Sequence, residues 1–369
     1  FQAWDELPVL PEGRIGIYVG SHTHFSEKQN RAIDRFCATY DAVVICDHTS
    51  GYYGKYKLLP TLVQLQSDIT SPFPPLDLMV HIGEISAASF NDTIPAKEVW
   101  RVSEDGELRD PFKKLTTVFQ MSEEMFFLHY GKDGCNRHVL IDECRELFGE
   151  IYEQIPELPF CNIWTAMQLS SRLPKGALFH MGVSNTRRCW NMFQLPESVE
   201  SACNVGCCGI DGCVSTLVGA SLVNPDRLCY VVVGDLTFFY DLNSLGNHHI
   251  GTNLRVMLVN NGRGTEFRLG IHHCNVFGDD ADKYMAAAGH FGNKSPLLVK
   301  HYAEDLGFHY LSATTKEEFM TALSNFTNPQ LSDHSMILEV FTDSKDESEA
   351  LYLMSHIQSD AKGMVRSNC

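Results

Sequence analysis

No apolar run in this sequence approaches the ~18 to 20 residues needed to cross a bilayer. Residues 1–14 lack the basic-then-apolar layout of a secretion signal. Positive charge is also short, with 29 Lys and Arg against 46 Asp and Glu and a formal net charge of −17. Without a dense basic patch the phosphates of a nucleic acid would be repelled, so that class of partner is excluded, although a local site can still capture a small anion. The 13 cysteines are odd in number and include no Cys-x-x-Cys pair. They read as reduced thiols of a cytoplasmic protein, not as a disulfide framework. The cluster Cys203, Cys207, Cys208 and Cys213 invites a metal reading but lacks the paired knuckles of zinc sites. Gly16-x-Tyr18-x-Gly20 is only a fragment of the dinucleotide glycine fingerprint.

What is present is a globular composition, 44% hydrophobic over 369 residues, enough for two domains and a large core. In the first part, residues 14–20, 41–46, 77–85 and 99–102 read as strands. Ser26-x-x-Gln29 forms a capping box, and Ile33, Phe36, Cys37 and Tyr40 follow at helical spacing. Strand and helix alternate, which predicts a small parallel α/β domain over residues 1–135. A polar, glycine-rich stretch and an amphipathic helix form a linker over 136–157, and a second domain runs from 158 to 369. There, 162–173 reads as a helix and 176–181 as a strand opening into Ser184, Arg187 and Arg188. That basic pair suits a carboxylate, held through two parallel hydrogen bonds, as well as it suits a solvated loop.

The second part is organised by residues 228–267. Two β-branched runs end in Gly234-Asp235 and Asn260-Asn261-Gly-Arg263, joined by a segment with Phe239, Leu242 and Leu245 at helical spacing. Buried parallel strands end this way, and open α/β sheets bind ligands at that edge. A carboxylate, an amide oxygen and turn carbonyls make an oxygen-only cage of low charge, which suits Mg²⁺ already bridging phosphates. The pairs His248/His249 and His272/His273 read as surface groups. Thr315-x-x-Glu318 caps a late helix bearing Phe319, Ala322, Leu323 and Phe326, a last strand covers 335–341, and 360–369 reads as a loose tail.

Gly-Asp, 24 residues and then Asn-Asn resembles the signature of thiamine-diphosphate enzymes. Gly209-Ile-Asp-Gly212-x-x-Ser215-Thr216 and Gly234-Asp-Leu-x-x-x-Tyr-Asp-Leu-Asn-x-Leu245 are similar to the menaquinone-pathway synthases that make 2-succinyl-5-enolpyruvyl-6-hydroxy-3-cyclohexene-1-carboxylate. The run 99–111 resembles the same family's middle domain.

The resemblance implies two parallel-sheet, three-layer α/β domains: a middle scaffold domain and a diphosphate-binding domain. It implies Mg²⁺ on Asp235, Asn261 and the Arg263 carbonyl, with Leu236 and Thr237, beside Gly234, at the diphosphate. Cys208 and Ile210 would meet the aminopyrimidine, Ile210 lying under the bent cofactor, and Ser184 and Arg188 would reach the substrate. A 2-oxo acid, a homo-oligomer and a pyrimidine-binding domain carrying the activating glutamate are the implied partners. That domain is expected from a trimmed N-terminus or a partner chain, leaving this chain alone inactive. An arginine of the family falls on Val205, which counsels a related decarboxylase or carboligase over the menaquinone reaction itself. A non-catalytic binding or assembly module is the alternative.

Overall fold

The computed structural model describes all residues except 3–4, 68, 72, 85–93, 271, 281–294, 358–364 and 367–369. The chain divides into two compact units, Phe1–Pro156 with Met354–Cys369, and Glu157–Leu353. The helix expected as a linker, Val139–Glu153, thus groups with the first unit, as do the residues from Met354 onward.

In the first unit the strands are β1 (Ile15–Val19), β2 (Val43–Cys46), β3 (Lys57–Leu58), β4 (Ile69–Ser71), β5 (Leu76–Ile82), β6 (Ala96–Ser103) and β7 (Leu115–Gln120). All but β4 form one parallel sheet in the order β3-β2-β1-β5-β6-β7. Its helices are α1 (Glu27–Tyr40), α2 (Thr61–Gln64), α3 (Glu123–Tyr130) and α4 (Val139–Glu153). The capping box forms as read: Gln29 N donates to Ser26 Oγ (3.3 Å) and Ser26 N to Gln29 Oε1 (2.9 Å). It starts α1 so that Ile33, Phe36 and Cys37 are buried.

The second unit carries β8 (Leu178–Met181), β9 (Glu200–Cys203), β10 (Cys229–Gly234), β11 (Leu254–Asn260), β12 (His309–Ala313) and β13 (Met336–Phe341). They form a parallel sheet in the order β12-β13-β11-β10-β8-β9. Its helices are α5 (Asn162–Leu169), α6 (Asn185–Trp190), α7 (Cys213–Val223), α8 (Asp235–Asp241), α9 (Leu298–Asp305) and α10 (Lys316–Phe326), with α11 (Ser344–Ser355) following β13. Val231, Val233, Val256 and Leu258 face Val214 and Leu217 of α7, Phe238 of α8 and Val299 of α9. Tyr230 points the other way, edge-on to Phe326 of α10, whose carbonyl accepts its hydroxyl at 3.0 Å. Helices on both faces explain the continuous apolar runs of β10 and β11. Both sheets are thus the expected three-layer α/β architecture.

Two local expectations are corrected. The helix expected from the spacing of Phe239, Leu242 and Leu245 ends at Asp241 and tightens into a 3₁₀ turn, Leu242–Gly246. The tail is not uniformly loose: β14 (Val365–Arg366) pairs antiparallel with β4, and the rest of 360–369 lies outside the described residues, as does Ile85 of the expected third strand.

Candidate active site

The chain leaves β8 toward β9 at one edge and leaves β10 toward β11 on the other side, so the strand order reverses between β8 and β10. Loops diverge at such a switch point and leave a crevice beyond the strand tips. Here it opens into a cavity of about 500 Å³. Val183, Ser184 and Thr186 come from beyond β8, Cys208 and Ile210 from the loop before α7, Gly234–Thr237 from the tip of β10 and the start of α8, and Asn261 and 263–267 from beyond β11.

Asp235 is 2% exposed at the first turn of α8. Its carboxylate accepts Leu236 N at 2.8 Å and Gly262 N at 2.5 Å, the second bond tying the tip of β10 to the turn after β11. That turn places Asn261 on the same cavity wall, its Oδ1 accepting Arg263 N at 3.3 Å. Behind it, Asn260 Nδ2 donates to Glu339 Oε1 (2.7 Å), and Tyr310 donates its hydroxyl to the other carboxylate oxygen (2.7 Å). Burial raises the Glu339 carboxyl above its usual range, while these two donors partly offset the shift. A buried network therefore fixes the residue next to Asn261.

Two groups make room for a ligand. A Cβ built on Gly234 would meet nothing within 4 Å, so the backbone there borders open space. Thr265 and Asn162 are lining residues whose side-chain oxygens are buried and make no hydrogen bond. Ser184 and Cys208 are two of the four non-glycine residues with positive φ among the described residues, at +58° and +52°. Ser184, with ψ −121°, lies outside the left-handed well, and strain held on a cavity wall points to a working site.

The structure brings Ser184, Cys208, Ile210, Gly234, Asp235, Leu236, Thr237, Asn261 and Arg263 onto this one cavity. Arg188 is not on the lining. Its guanidinium is paired with Glu266, donating to Oε2 at 3.0 Å and Oε1 at 2.6 Å. Val205 is 4% exposed and also off the lining, so an arginine restored there would be buried. His248, His249 and His273 are exposed, and with His272 they stay off the cavity. Among the described residues no three His, Cys, Asp or Glu side chains come together as a metal site.

Asn162, Tyr240 and Thr265 are lining residues that sequence reasoning missed. Asp241, off the lining, was missed as well: its carboxylate accepts Ser215 N at 2.7 Å in the first turn of α7. Its fixed place in the 234–245 block was the available signal.

No family model matches the chain. The curated protein "2-succinyl-5-enolpyruvyl-6-hydroxy-3-cyclohexene-1-carboxylate synthase" of Bacteroides fragilis is 33% identical over 263 residues, covering 70% of this chain and 45% of that protein. Its namesake in Phocaeicola vulgatus is 32% identical over 265 residues, covering 70% and 44%. The one in Christiangramia forsetii is 33% identical over 199 residues, covering 54% and 33%. The chain spans less than half the length of the curated relatives it matches.

Proposed function

Because this chain is a relative of the 2-succinyl-5-enolpyruvyl-6-hydroxy-3-cyclohexene-1-carboxylate synthases, we propose that it forms the cofactor-binding part of a 2-oxo acid decarboxylase or carboligase dependent on thiamine diphosphate and Mg²⁺. The observation that carries this is the meeting of Asp235 and Asn261 on one cavity at the switch point of the sheet.

The residues present fit the cofactor. The donors are oxygens only, the hard set that Mg²⁺ takes, and they leave coordination positions for phosphate and water. Asp235, the Asn261 side chain and the Arg263 carbonyl would hold the ion. That carbonyl accepts Thr265 N at 2.9 Å, which leaves its second lone pair for the metal. The open space beside Gly234 admits a diphosphate against the backbone, with Leu236 and Thr237 in reach.

When bound, thiamine diphosphate supplies the electron sink for cleaving the bond between a 2-oxo acid's carbonyl carbon and its carboxylate. The protein's share is placement and exclusion of water. Ile210 would support the cofactor's bend, with the backbones of Cys208 and Ile210 toward the aminopyrimidine. Val183, Leu236 and Phe267 dry the walls, and Ser184 offers a hydroxyl to the substrate from a constrained backbone. A pyrimidine-binding domain, from a second copy in a homo-oligomer or from a partner chain, would complete the site. The cytoplasm is the expected location; among the described residues no helix is long and apolar enough to cross a membrane.

Calorimetry of thiamine diphosphate with and without Mg²⁺ tests the proposal. Uptake should require the ion and should vanish in Asp235→Asn. Uptake without any CO₂ release by the assembled protein from any 2-oxo acid would favour a non-catalytic module, and absence of uptake would sink both.

A further inference from the structure

The cavity has a cation at its side that it does not expose. Arg188 lies on α6, one turn beyond Ser184, and its side chain is 14% exposed. Both of its terminal nitrogens donate to Glu266, 78 positions away in sequence, in the parallel two-bond geometry that a guanidinium offers a ligand carboxylate. The pair favours the charged guanidinium even though burial opposes it. Asn185 Oδ1 accepts a longer third bond at 3.4 Å. Glu266 and Asn185 line the cavity and Arg188 does not, so the guanidinium's fork is already taken by a carboxylate of the cavity wall.

We propose that Glu266 is the specificity-determining residue of this pocket: by holding Arg188 it restricts the donor to a 2-oxo acid whose only carboxylate is at the reacting end. This rests on the functional reading above, since it takes the cavity to be the 2-oxo acid site. A ligand's second carboxylate would have to displace Glu266 from a half-buried, doubly hydrogen-bonded partner. Glu266 competes as a tethered group, at an effective concentration on the order of millimolar or higher. A carboxylate that fails to displace it meets a like charge in a site with little water, where repulsion is poorly screened. The arginine that does line the cavity, Arg263, belongs to the turn that carries Asn261, where the diphosphate is expected. The remaining wall at this end, Val183 and Phe267, suits an uncharged tail.

The test is calorimetric binding of 2-oxobutyrate and of 2-oxoglutarate, with thiamine diphosphate uptake measured on the same samples. The wild-type chain should bind 2-oxobutyrate at least tenfold more tightly than 2-oxoglutarate. Glu266→Gln keeps the side-chain shape but frees the charge of Arg188, and should improve 2-oxoglutarate binding at least tenfold. The added change Arg188→Met should abolish that gain.

Equal or tighter wild-type binding of 2-oxoglutarate would overturn the proposal. So would a gain that survives the loss of Arg188, or a failure of either acid to bind any variant. Should Glu266→Gln not fold, the wild-type ratio still decides, together with Arg188→Leu/Glu266→Leu, which should keep the preference for 2-oxobutyrate; acceptance of 2-oxoglutarate by that apolar pair would count against the idea. Loss of cofactor uptake with the acid preference still following Glu266 would remove the cofactor reading alone.

Discussion

The two parallel sheets of this chain have the same kind of switch point and finish it in opposite ways. In the first, strand order reverses between β1 and β5, and the tips are sewn together: Ser21 N donates to the Glu84 carbonyl at 2.7 Å and Glu84 N to the Ser21 carbonyl at 2.9 Å. Ion pairs of Glu84 with Arg101 and Arg109 sit over the seam. In the second, the tips of β8 and β10 diverge into the cavity. A shared topology therefore offers a crevice twice, and backbone hydrogen bonding beyond the strands decides whether it is used. Gly20 serves the closed version. A Cβ there would lie 2.4 Å from the Glu84 carbonyl oxygen, so the fragment Gly16-x-Tyr18-x-Gly20 is explained by close packing and not by a nucleotide.

The sharpest way to break the comparison is to remove the acid at each tip. Asp235→Asn should lower Mg²⁺-dependent binding of thiamine diphosphate by more than ~100-fold, beyond the 10- to 100-fold typical of groups behind a metal ligand. Glu84→Gln at the sewn edge should leave it unchanged. Equal effects, read by calorimetry, would mean that the open crevice is not the cofactor site.

A second test concerns charge buried beside the open crevice. Glu347 is 1% exposed, accepts Asn162 N at 2.9 Å next to the cavity, and leaves Oε2 without a partner. Burial pushes its carboxyl from the ordinary 4.5 to about 7. Below pH 4.5 it is protonated in both states, so it contributes nothing there. Between that pH and about 7 the folded state keeps a proton that the unfolded chain releases, so stability falls as pH rises, and above 7 the whole penalty is present. That penalty is on the order of 3–4 kcal/mol at most, each tenfold change in proton affinity being worth ~1.4 kcal/mol. Glu347→Gln should therefore raise the Tm at pH 8 and have little effect at pH 4.5. A gain independent of pH would show that the carboxyl is ionised throughout.

The paired glycines sharpen the contrast further. Gly20→Ala forces a methyl into the Glu84 backbone and should destabilise by about 2 kcal/mol, as overpacking does, with no effect on cofactor binding. Gly234→Ala has room and ordinary backbone angles (φ −76°, ψ 168°), so it should fold normally and lose cofactor affinity. Chemical denaturation and calorimetry on both variants should separate the two effects.

How much of this was legible follows from what each signal encodes. β10 and β11 were readable because each is a nearly continuous apolar run, whereas β7, Leu-Thr-Thr-Val-Phe-Gln, was missed because its threonines interrupt one. β9, with the sequence Glu-Ser-Ala-Cys, was missed too, because an edge strand of four residues has too little apolar surface to show a period. The helix after Asp235 was read too long because Asp241 looked like an ordinary helical position. Its carboxylate instead reaches across to cap α7, a contact that periodicity cannot encode. Asp235 and Asn261 were legible because strand tips announce themselves by abrupt polarity. Arg188 was expected to reach the substrate; its capture by Glu266, off the cavity lining, depends on α6 and the turn after β11 meeting in space.

The smallest effect is also the most local. Ser184 adopts φ 58° and ψ −121°, outside the left-handed well that Asp41 occupies comfortably at φ 55° and ψ 46° while ending α1. A side chain held there is strained by about 1–3 kcal/mol, while glycine would loosen the unfolded chain by about 0.4–1 kcal/mol, so Ser184→Gly should stabilise by about 1 kcal/mol. Asp41→Gly in the sewn unit has less strain to relieve and should change stability by less. If the strain is kept because it aims the hydroxyl into the cavity, the Ser184 variant should gain Tm while 2-oxo acid binding weakens several-fold. A gain in both would mean that the bent backbone, and not the hydroxyl, is what the open crevice requires.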